Sequence, residues 1–291
     1  MLESADYFIE GSERNACNAM KTSTPILTPF QFFRHVLYHR DMIFALAARD
    51  LQSRYIGTLG GVLWAFIHPL AIVVIFYFVF AVGFRAQGPS STPFILWFVC
   101  GLVPWFLFND TLLAITNSIT GNAHLVKKTI FPTEILPLVH VISSLFPHMI
   151  FMLILMGMLG FFSIQFFAER LLVVYYLVCT VSLVLGLGWL LSALQVFYRD
   201  ISQALTVALN LWFWATPIVW SKEILPAEYS GILHFNPIYY IVEGYRNLLI
   251  YKTTAWPTLQ ETAFFWCINI IIIFFGIFVF RRLKPEFADV L

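Results

Sequence analysis

Charged residues are scarce in this chain. Of its 291 residues, 11% are charged and 60% are hydrophobic, whereas soluble domains carry about 25% charged and 45–50% apolar residues. The excess apolar residues form several continuous runs, and about 20 such residues in a helix span the hydrocarbon core of a bilayer. The composition therefore excludes an ordinary soluble domain and predicts an all-α polytopic membrane protein.

Motifs for catalysis or nucleotide binding are also missing. The sequence contains no GxxxxGK[ST] phosphate loop, no HExxH, no GxSxG and no Cys/His cluster. Its four cysteines show neither CxxC spacing nor a disulfide framework, which favours small buried hydrophobes. The net charge of +1 is spread without a basic block and gives no indication of nucleic-acid binding. We therefore expect no catalytic residue, no metal site and no ATP site in this chain.

Six apolar runs are long enough to cross a bilayer, and each predicts a membrane-spanning helix. Polar or proline-containing segments separate them, within a transmembrane domain over residues 62–291. The predicted spans are residues 62–84, 94–119, 138–162, 171–197, 204–220 and 262–280.

Two different segments precede the first span. Residues 1–29 are polar, lack the apolar centre of a signal peptide and are predicted to form a loose cytosolic tail. Residues 30–61 begin with apolar side chains at three- and four-residue steps from Phe33 to Leu51, with Arg, His and Asp between them. This pattern predicts an amphipathic helix that lies in the membrane interface, followed by a lead-in to the first span.

Residues 221–261 lie between the fifth and sixth predicted spans and do not fit the pattern of long apolar runs joined by short connections. The segment is too long for a turn and too apolar for a solvated loop. Asn236 followed by Pro237 is a helix start signal, and Glu243 and Arg246 are spaced to pair across one helical turn. We predict short re-entrant helices here, which is a structure that membranes tolerate only where protein or water covers it.

Lysine and arginine residues are distributed unevenly between the two sides of the predicted membrane domain. With six spans both termini share a side, which carries 12 of the 17 basic residues, while the other side carries 5. Because basic residues concentrate in cytoplasmic loops, we expect both termini in the cytosol. The loop 122–137, NAHLVKKTIFPTEILP, is then cytosolic too, with Lys127 and Lys128 next to a turn broken by proline.

Few ionisable residues lie inside the predicted spans, namely His68, Asp110, His140 and His148. A secondary carrier builds its coupling site from such groups near the midplane, and Asp110 alone is thin support for one. His68 suits a proton relay or, equally, a hydrogen bond to a backbone carbonyl that the adjacent Pro69 leaves unpaired.

Aromatic residues make up 18% of the chain, and some of them belong to interface belts. Aromatic faces can pack against sugar rings through CH groups without selecting one sugar, so a glycan could slide along them. For most individual rings, lipid-facing or inter-helix packing is the favoured explanation. The candidates for a glycan path are Trp64, Phe66, Tyr77, Trp212 and Trp214.

An ordered set of motifs resembles the membrane subunit of type-2 ABC exporters of bacterial surface polysaccharides, which include O-antigen, capsule and teichoic acid exporters. The resemblance covers roughly residues 30–285. Each motif is weak alone, and the specificity comes from their order. The motifs are RYIGTLGGVLWAFIHPL, NAHLVKKTIFPTEILP, FYRDI, ATPIVW and NPIYYIVEGYRNLL.

This resemblance implies a homodimer of six-helix subunits with a channel between them, and two copies of a separate ATP-binding subunit on the cytosolic side. That partner would hold ATP and Mg, and this chain would bind no cofactor. The cargo would be a lipid-linked polysaccharide, moved across a bacterial inner membrane whose lipid surrounds the spans. Coupling residues implied by the resemblance are Lys127, Lys128, Phe131, Pro132, Glu134, Arg199 and Asp200, and those of the re-entrant region are Asn236, Pro237, Glu243 and Arg246.

Two other function classes stay open at the level of sequence. A drug or small-lipid exporter of the same ABC type shares the same architecture. A membrane transferase acting on a lipid-linked sugar would need a positioned acid/base pair or nucleophile, for which the candidate groups are sparse and lie on mismatched sides. Export of lipid-linked polysaccharide is the leading hypothesis, with O-antigen favoured over capsule or teichoic acid.

Overall fold

The computed structural model describes residues 34, 36–55, 60–89, 92–128, 131–164, 168–251 and 257–291. These ranges contain helices and turns and no β-strand, which confirms the all-α class for the part described. Two compact units are distinguished, residues 1–42 and residues 43–291. The predicted tail, residues 1–29, lies outside the described residues.

The second unit contains most of the helices. The α-helices in chain order are α1 (Arg40–Tyr55), α2 (Trp64–Phe76), α3 (Phe94–Thr116), α4 (Ser118–Gly121), α5 (Ala123–Lys128), α6 (Leu136–Phe161), α7 (Val173–Phe197), α8 (Ile201–Ala215), α9 (Ser230–Leu233), α10 (Pro237–Leu249), α11 (Leu259–Leu283) and α12 (Phe287–Val290). Helix α2 continues as a π-helix over Tyr77–Gly83.

Five helical stretches among the described residues are long and apolar enough to cross a membrane. They match the first, second, third, fourth and sixth predicted spans, which confirms those runs as helices of spanning length. Their bounds are Trp64–Gly83, Phe94–Thr116, Thr133–Phe161, Arg170–Phe197 and Leu259–Val290.

The fifth predicted span, residues 204–220, coincides only in part with a helix. Helix α8 has 15 residues, which is fewer than the about 20 that a membrane-spanning helix needs. It ends because Thr216 is already extended, with ψ of 133°, and the residue before a proline avoids the helical region. The sixth crossing stays a prediction, which depends on residues 216–220 completing the path.

Helix α3 lies at the centre of the bundle. Leu96, Phe98 and Leu112 are fully buried, and the helix packs against α6, α7, α8 and α10. Helices α2 and α11, in contrast, expose many large apolar side chains. Exposed apolar faces of this extent mark contact with a membrane or with another protein.

Helices α7 and α11 pack most closely where both lack a side chain. A Cβ atom added at Gly276 would overlap the backbone carbonyl of Gly186. Nearby, the Asn269 side chain donates a hydrogen bond to Ser182 Oγ at 2.6 Å. Small residues that allow backbones to approach, with a polar pair beside them, are typical of helix packing in membranes.

Helix α1 is joined to α6 by a partly buried carboxylate, Asp50. Arg54 Nη2 lies 2.8 Å from Asp50 Oδ2, Ser143 Oγ donates to the same oxygen, and His140 Nδ1 is 3.4 Å from it. Burial opposes ionisation of Asp50, but the His140 and Ser143 contacts and the charge of Arg54 outweigh it and hold the pKa of Asp50 below its usual range. The interfacial location of α1 stays a prediction.

Replacing Asp50 with asparagine is expected to lower the melting temperature at pH 7, because Arg54 and His140 lose their anion. A depressed carboxyl pKa stabilises the fold above its unfolded value of about 3.8, and this contribution disappears as the pH falls through the folded value. The difference in Tm between wild type and Asp50→Asn should therefore begin to shrink near pH 4 and be smaller at pH 3 than at pH 5. Thermal unfolding in detergent measures it, with exposed Asp289→Asn as the matched control. A difference that persists unchanged at pH 3 would contradict the charge-based explanation.

Candidate functional site

The two ends of the bundle carry different sets of predicted functional residues. We call the described residues of 118–137, 198–200 and 284–291 the coupling end, since contacts join them. We call residues 217–249, with the start of α3, the Arg246 end. Helices α3, α7 and α11 run from the Arg246 end towards the coupling end, and α6 runs in the opposite direction.

The described residues of loop 122–137 are a folded part of the coupling end. The Asn122 side chain donates to the Ser118 carbonyl at 2.8 Å, and α5 follows directly. Lys127 is exposed, whereas Thr133 and Ile135 are buried. Phe131 and Pro132 are partly exposed, and the side chain of Lys128 lies outside the described part. Lys127, Phe131, Pro132 and Glu134 are therefore the predicted coupling residues of this loop that are seen to present at least part of their surface.

Glu134 is paired inside its own chain. Its Oε1 lies 2.6 Å from Lys284 Nζ, and the two side chains are 18% and 32% exposed. Its backbone carbonyl accepts a hydrogen bond from Trp189 Nε1 at 3.3 Å. No local sequence pattern points to Lys284 as the partner, because 150 positions separate the two charges. Glu134 therefore joins the loop to the end of α11. Its substitution would break this ion pair within the chain.

The turn between α7 and α8 exposes Arg199 and Asp200. The buried side chain of Gln195 makes two hydrogen bonds to this turn. Its Nε2 donates to the Arg199 carbonyl at 3.2 Å, and its Oε1 accepts from the Ser202 amide at 2.9 Å. Sequence reasoning missed Gln195, whose one local signal is a polar residue at the end of an apolar helix. The two charged side chains are thus presented on a turn of defined shape.

Residues 284–291 connect loop 122–137 with the turn at Arg199 and Asp200. Phe287 is buried, with its ring 6.3 Å from Phe197 and 5.5 Å from Phe280. Helix α12 also contacts α5 and α7. The described residues of loop 122–137, the turn at Arg199 and the end of α11 therefore form one packed surface at the coupling end.

Arg246 organises the opposite end. Its side chain is 0% exposed, and its Nη1 donates to the Pro217 carbonyl at 2.7 Å and to Glu243 Oε1 at 3.0 Å. Nη2 donates to the Ile218 carbonyl at 2.9 Å, and the guanidinium lies 3.7 Å from the centre of the Trp97 ring. The predicted Glu243–Arg246 pair is confirmed. Arg246 also binds the backbone of Pro217 and Ile218, the segment that follows α8.

The helix start at Asn236 and Pro237 is confirmed as well. Asn236 Oδ1 accepts from the Ile238 amide at 3.0 Å and from Trp212 Nε1 at 2.9 Å, and its Nδ2 donates to Thr216 Oγ1 at 2.8 Å. One asparagine therefore caps α10 and binds the end of α8. Whether α10 is re-entrant stays a prediction.

The aromatic candidates for a glycan path divide into two groups. Trp64 and Trp214 are 50% and 56% exposed, and Phe66 and Tyr77 are exposed on α2 and its π-helical extension. Trp212 is partly buried, hydrogen-bonded to Asn236 and packed edge-on against Phe108. Exposed rings on α2 and α8 remain candidates to meet a cargo, whereas Trp212 supports the fold.

A small cleft with several polar lining residues lies next to the exposed part of α2. Its volume is about 210 Å³, and Trp64, His68, Asp110, Ser144 and His148 are among its lining residues. Three of the ionisable residues predicted inside spans are thus brought together. Within the described ranges, no three His, Cys, Asp or Glu side chains are grouped so that they could hold a metal ion.

Comparisons with known proteins agree with this architecture. The sequence model of a family described as ABC-2 type transporter matches residues 41–250. The O-antigen export system permease protein RfbA of Klebsiella pneumoniae is 28% identical over 260 residues, covering 87% of this chain and 96% of that protein. RfbA of Myxococcus xanthus is 26% identical over 260 residues, 88% of this chain and 97% of its own length. The polysialic acid transport protein KpsM of Escherichia coli is 22% identical over 214 residues, 71% and 80% of the two chains.

Proposed function

Because this chain belongs to the ABC-2 type transporter family, we propose that it is the permease subunit of an ATP-driven exporter of lipid-linked polysaccharide, with O-antigen the favoured cargo. The observation that carries the proposal is its similarity along nearly the whole length of O-antigen export permeases. A polysialic acid transport protein is also similar, so polysaccharide is common to the cargoes that these names state. A drug or small-lipid exporter fits these relatives less well.

The energy for export would come from a second protein. This sequence has no phosphate loop, so we propose two copies of a separate ATP-binding subunit that hold ATP and Mg. The coupling end supports their docking, because Lys127, Arg199 and Asp200 are exposed there on packed segments. ATP-driven closure of the partner would press on this end and move the helices attached to it.

Orientation follows from the charge distribution. If residues 216–220 complete a sixth crossing after α8, both termini and the coupling end lie on the side with 12 of the 17 basic residues, which is the cytosol by the positive-inside rule. The membrane would be the bacterial inner membrane. Helix α1, attached to α6 through Asp50, would then lie at the cytosolic interface, with α10 near the outer face.

Two copies of the chain would enclose the channel. Helix α2 buries little of its surface within one subunit, and α8 exposes Val207, Leu211 and Trp214. A homodimer that joins these faces would cover them and place aromatic rings along the path between the subunits. Rings that interact with sugar faces, without tight hydrogen bonds, suit a polymer that must keep moving.

Co-purification tests the proposal. The tagged chain, co-expressed with an ATP-binding subunit encoded beside it, should elute as a complex of two copies of each with ATPase activity. Deleting its gene should remove surface polysaccharide and leave lipid-linked glycan in the cytosolic leaflet, and a plasmid copy should restore export. Unchanged surface polysaccharide in the deletion strain, or a purified chain that binds no ATPase, would contradict the proposed function.

Replacing Trp64 or Trp214 with alanine is expected to slow export several-fold without loss of the protein, since both rings are half exposed on the proposed path. Pulse-labelling of surface polysaccharide measures the rate. Phe274→Ala is the matched control, because Phe274 is an exposed aromatic residue on α11, which is not one of the two helices of the proposed path. Equal rates in all three variants would assign the two tryptophans to ordinary packing.

A further inference from the structure

A cavity of about 450 Å³ opens at the Arg246 end, on the side of α10 that faces α11. Tyr176, Tyr239, Tyr240, Phe264 and Phe265 contribute aromatic walls. Its volume is in the range of about 300–1,000 Å³ that is typical of small-molecule sites. The cavity is separate from the exposed rings of α2 and α8, because none of Trp64, Phe66, Tyr77 or Trp214 lines it.

The aromatic wall is held in place by an internal network. The Tyr240 ring stacks on Phe265 with centroids 4.8 Å apart. Its hydroxyl lies 3.0 Å from the Tyr175 hydroxyl and 3.1 Å from Thr262 Oγ1. Trp266 Nε1 donates to Tyr175 at 3.0 Å. The Tyr240 ring is therefore preorganised, so a ligand that packs on this wall need not order it first.

Each of the two carboxylates that line the cavity lies near a basic side chain. Lys222 Nζ lies 3.8 Å from Glu243 Oε2, and His234 Nδ1 lies 3.8 Å from Glu261 Oε1. The amide of Asn247, also in the lining, can both donate and accept. Two carboxylates disfavour an anionic ligand, whereas carboxylate and amide groups beside aromatic rings suit a neutral molecule that carries many hydroxyls.

We propose that this cavity binds neutral sugar units of the exported polysaccharide as they leave the channel. The inference rests on the proposed function and deepens it by naming a second contact with the cargo, at the end opposite the coupling end. The aromatic walls would pack against the CH faces of a sugar ring. Asn247 and Glu261 would bond its hydroxyls, and Glu243 would do so through the oxygen that faces Lys222.

Binding can be measured without ATP or the partner subunit. The protein in lipid nanodiscs is mixed with mannobiose or chitobiose, and saturation-transfer difference NMR detects the bound sugar. Wild type is expected to give signals that Asn247→Leu, which fills the cavity, and Phe264→Leu, which removes an aromatic wall, reduce at least fivefold. Phe274→Leu, the same change on the same helix outside the cavity, should leave them unchanged. Asn247→Ser is the milder variant if Asn247→Leu fails to fold.

The alternative occupant is a zwitterionic phospholipid headgroup. Absence of disaccharide signal in folded wild type, or equal signals in all variants, would overturn the proposal. Retention of phosphatidylethanolamine in native mass spectra, lost in Asn247→Leu without any sugar signal, would assign the cavity to lipid. If sugar binding fails while deletion of the gene still removes surface polysaccharide, only this inference is wrong. If that deletion leaves the polysaccharide intact, the proposed function is wrong, and this inference, which rests on it, is wrong as well.

Discussion

Replacing Arg246 with methionine is expected to destabilise the folded protein by about 3–5 kcal/mol, the range for removing one partner of a buried ion pair. The side chain is fully buried, so the substitution leaves Glu243 Oε1 and the carbonyls of Pro217 and Ile218 without their donor. Unpaired polar groups in an interior cost more than the lost hydrogen bonds alone. Thermal unfolding in detergent should show a fall in Tm of roughly 10 °C.

Two further substitutions sharpen this expectation. Arg246→Lys keeps the charge but cannot donate to Glu243, Pro217 and Ile218 in the same fork, since an ammonium lacks that geometry, so its Tm should lie between those of wild type and Arg246→Met. Arg282→Met removes an exposed arginine on α11 and should shift Tm by about a degree or less. Equal melting temperatures for Arg246→Met and Arg282→Met would show that the buried network is dispensable.

The membrane-spanning helices could be predicted because long apolar runs leave few alternatives. A run of about 20 apolar residues either crosses a bilayer or lies in a large core, and the low charge content removes the second option. The end of α8 could not be predicted from hydrophobicity, because Ile218, Val219 and Trp220 continue the apolar run beyond the helix. The local backbone preference of Thr216 before Pro217 overrides the hydrophobic pattern there.

The features of the site that could be predicted from the sequence are contacts between residues close together in the chain. The cap at Asn236 and the pair of Glu243 with Arg246 span two to three positions, where helix geometry alone sets the distance. The network around Asp50 and the burial of Arg246 against Trp97 require segments 93 and 149 positions apart. Such contacts depend on which helix faces which, and one sequence carries no signal for that.

The pair of Glu134 with Lys284 bears directly on how ATP hydrolysis would reach the channel. The resemblance implies that Glu134 contacts the ATP-binding subunit, whereas the structure places its carboxylate against the end of α11. These assignments differ in what would restore a defective variant. If Glu134 meets a partner protein, a change elsewhere in this chain cannot repair its loss. If it joins the loop to α11, a reversed charge at position 284 can.

Glu134→Lys is expected to reduce export at least tenfold while leaving membrane insertion intact, because two lysines would then face each other at the coupling end. Lys284→Glu should be similarly defective, with two carboxylates in place of the ion pair. The double variant with both changes should recover at least half of wild-type export, since the opposite charges meet again across the same 2.6 Å contact. Surface polysaccharide measured with an antibody, normalised to the tagged protein in the membrane, gives the result.

The control for this charge exchange is Arg282→Glu, an equal change of charge at an exposed neighbour of Lys284. It should neither abolish export nor rescue Glu134→Lys. A double variant as defective as Glu134→Lys alone would return Glu134 to direct contact with the ATP-binding subunit, and normal export in Glu134→Lys would remove it from coupling altogether. Rescue by the double variant would instead mean that force entering at loop 122–137 is passed to α11 through this pair, so that the last helix of the chain moves with the loop.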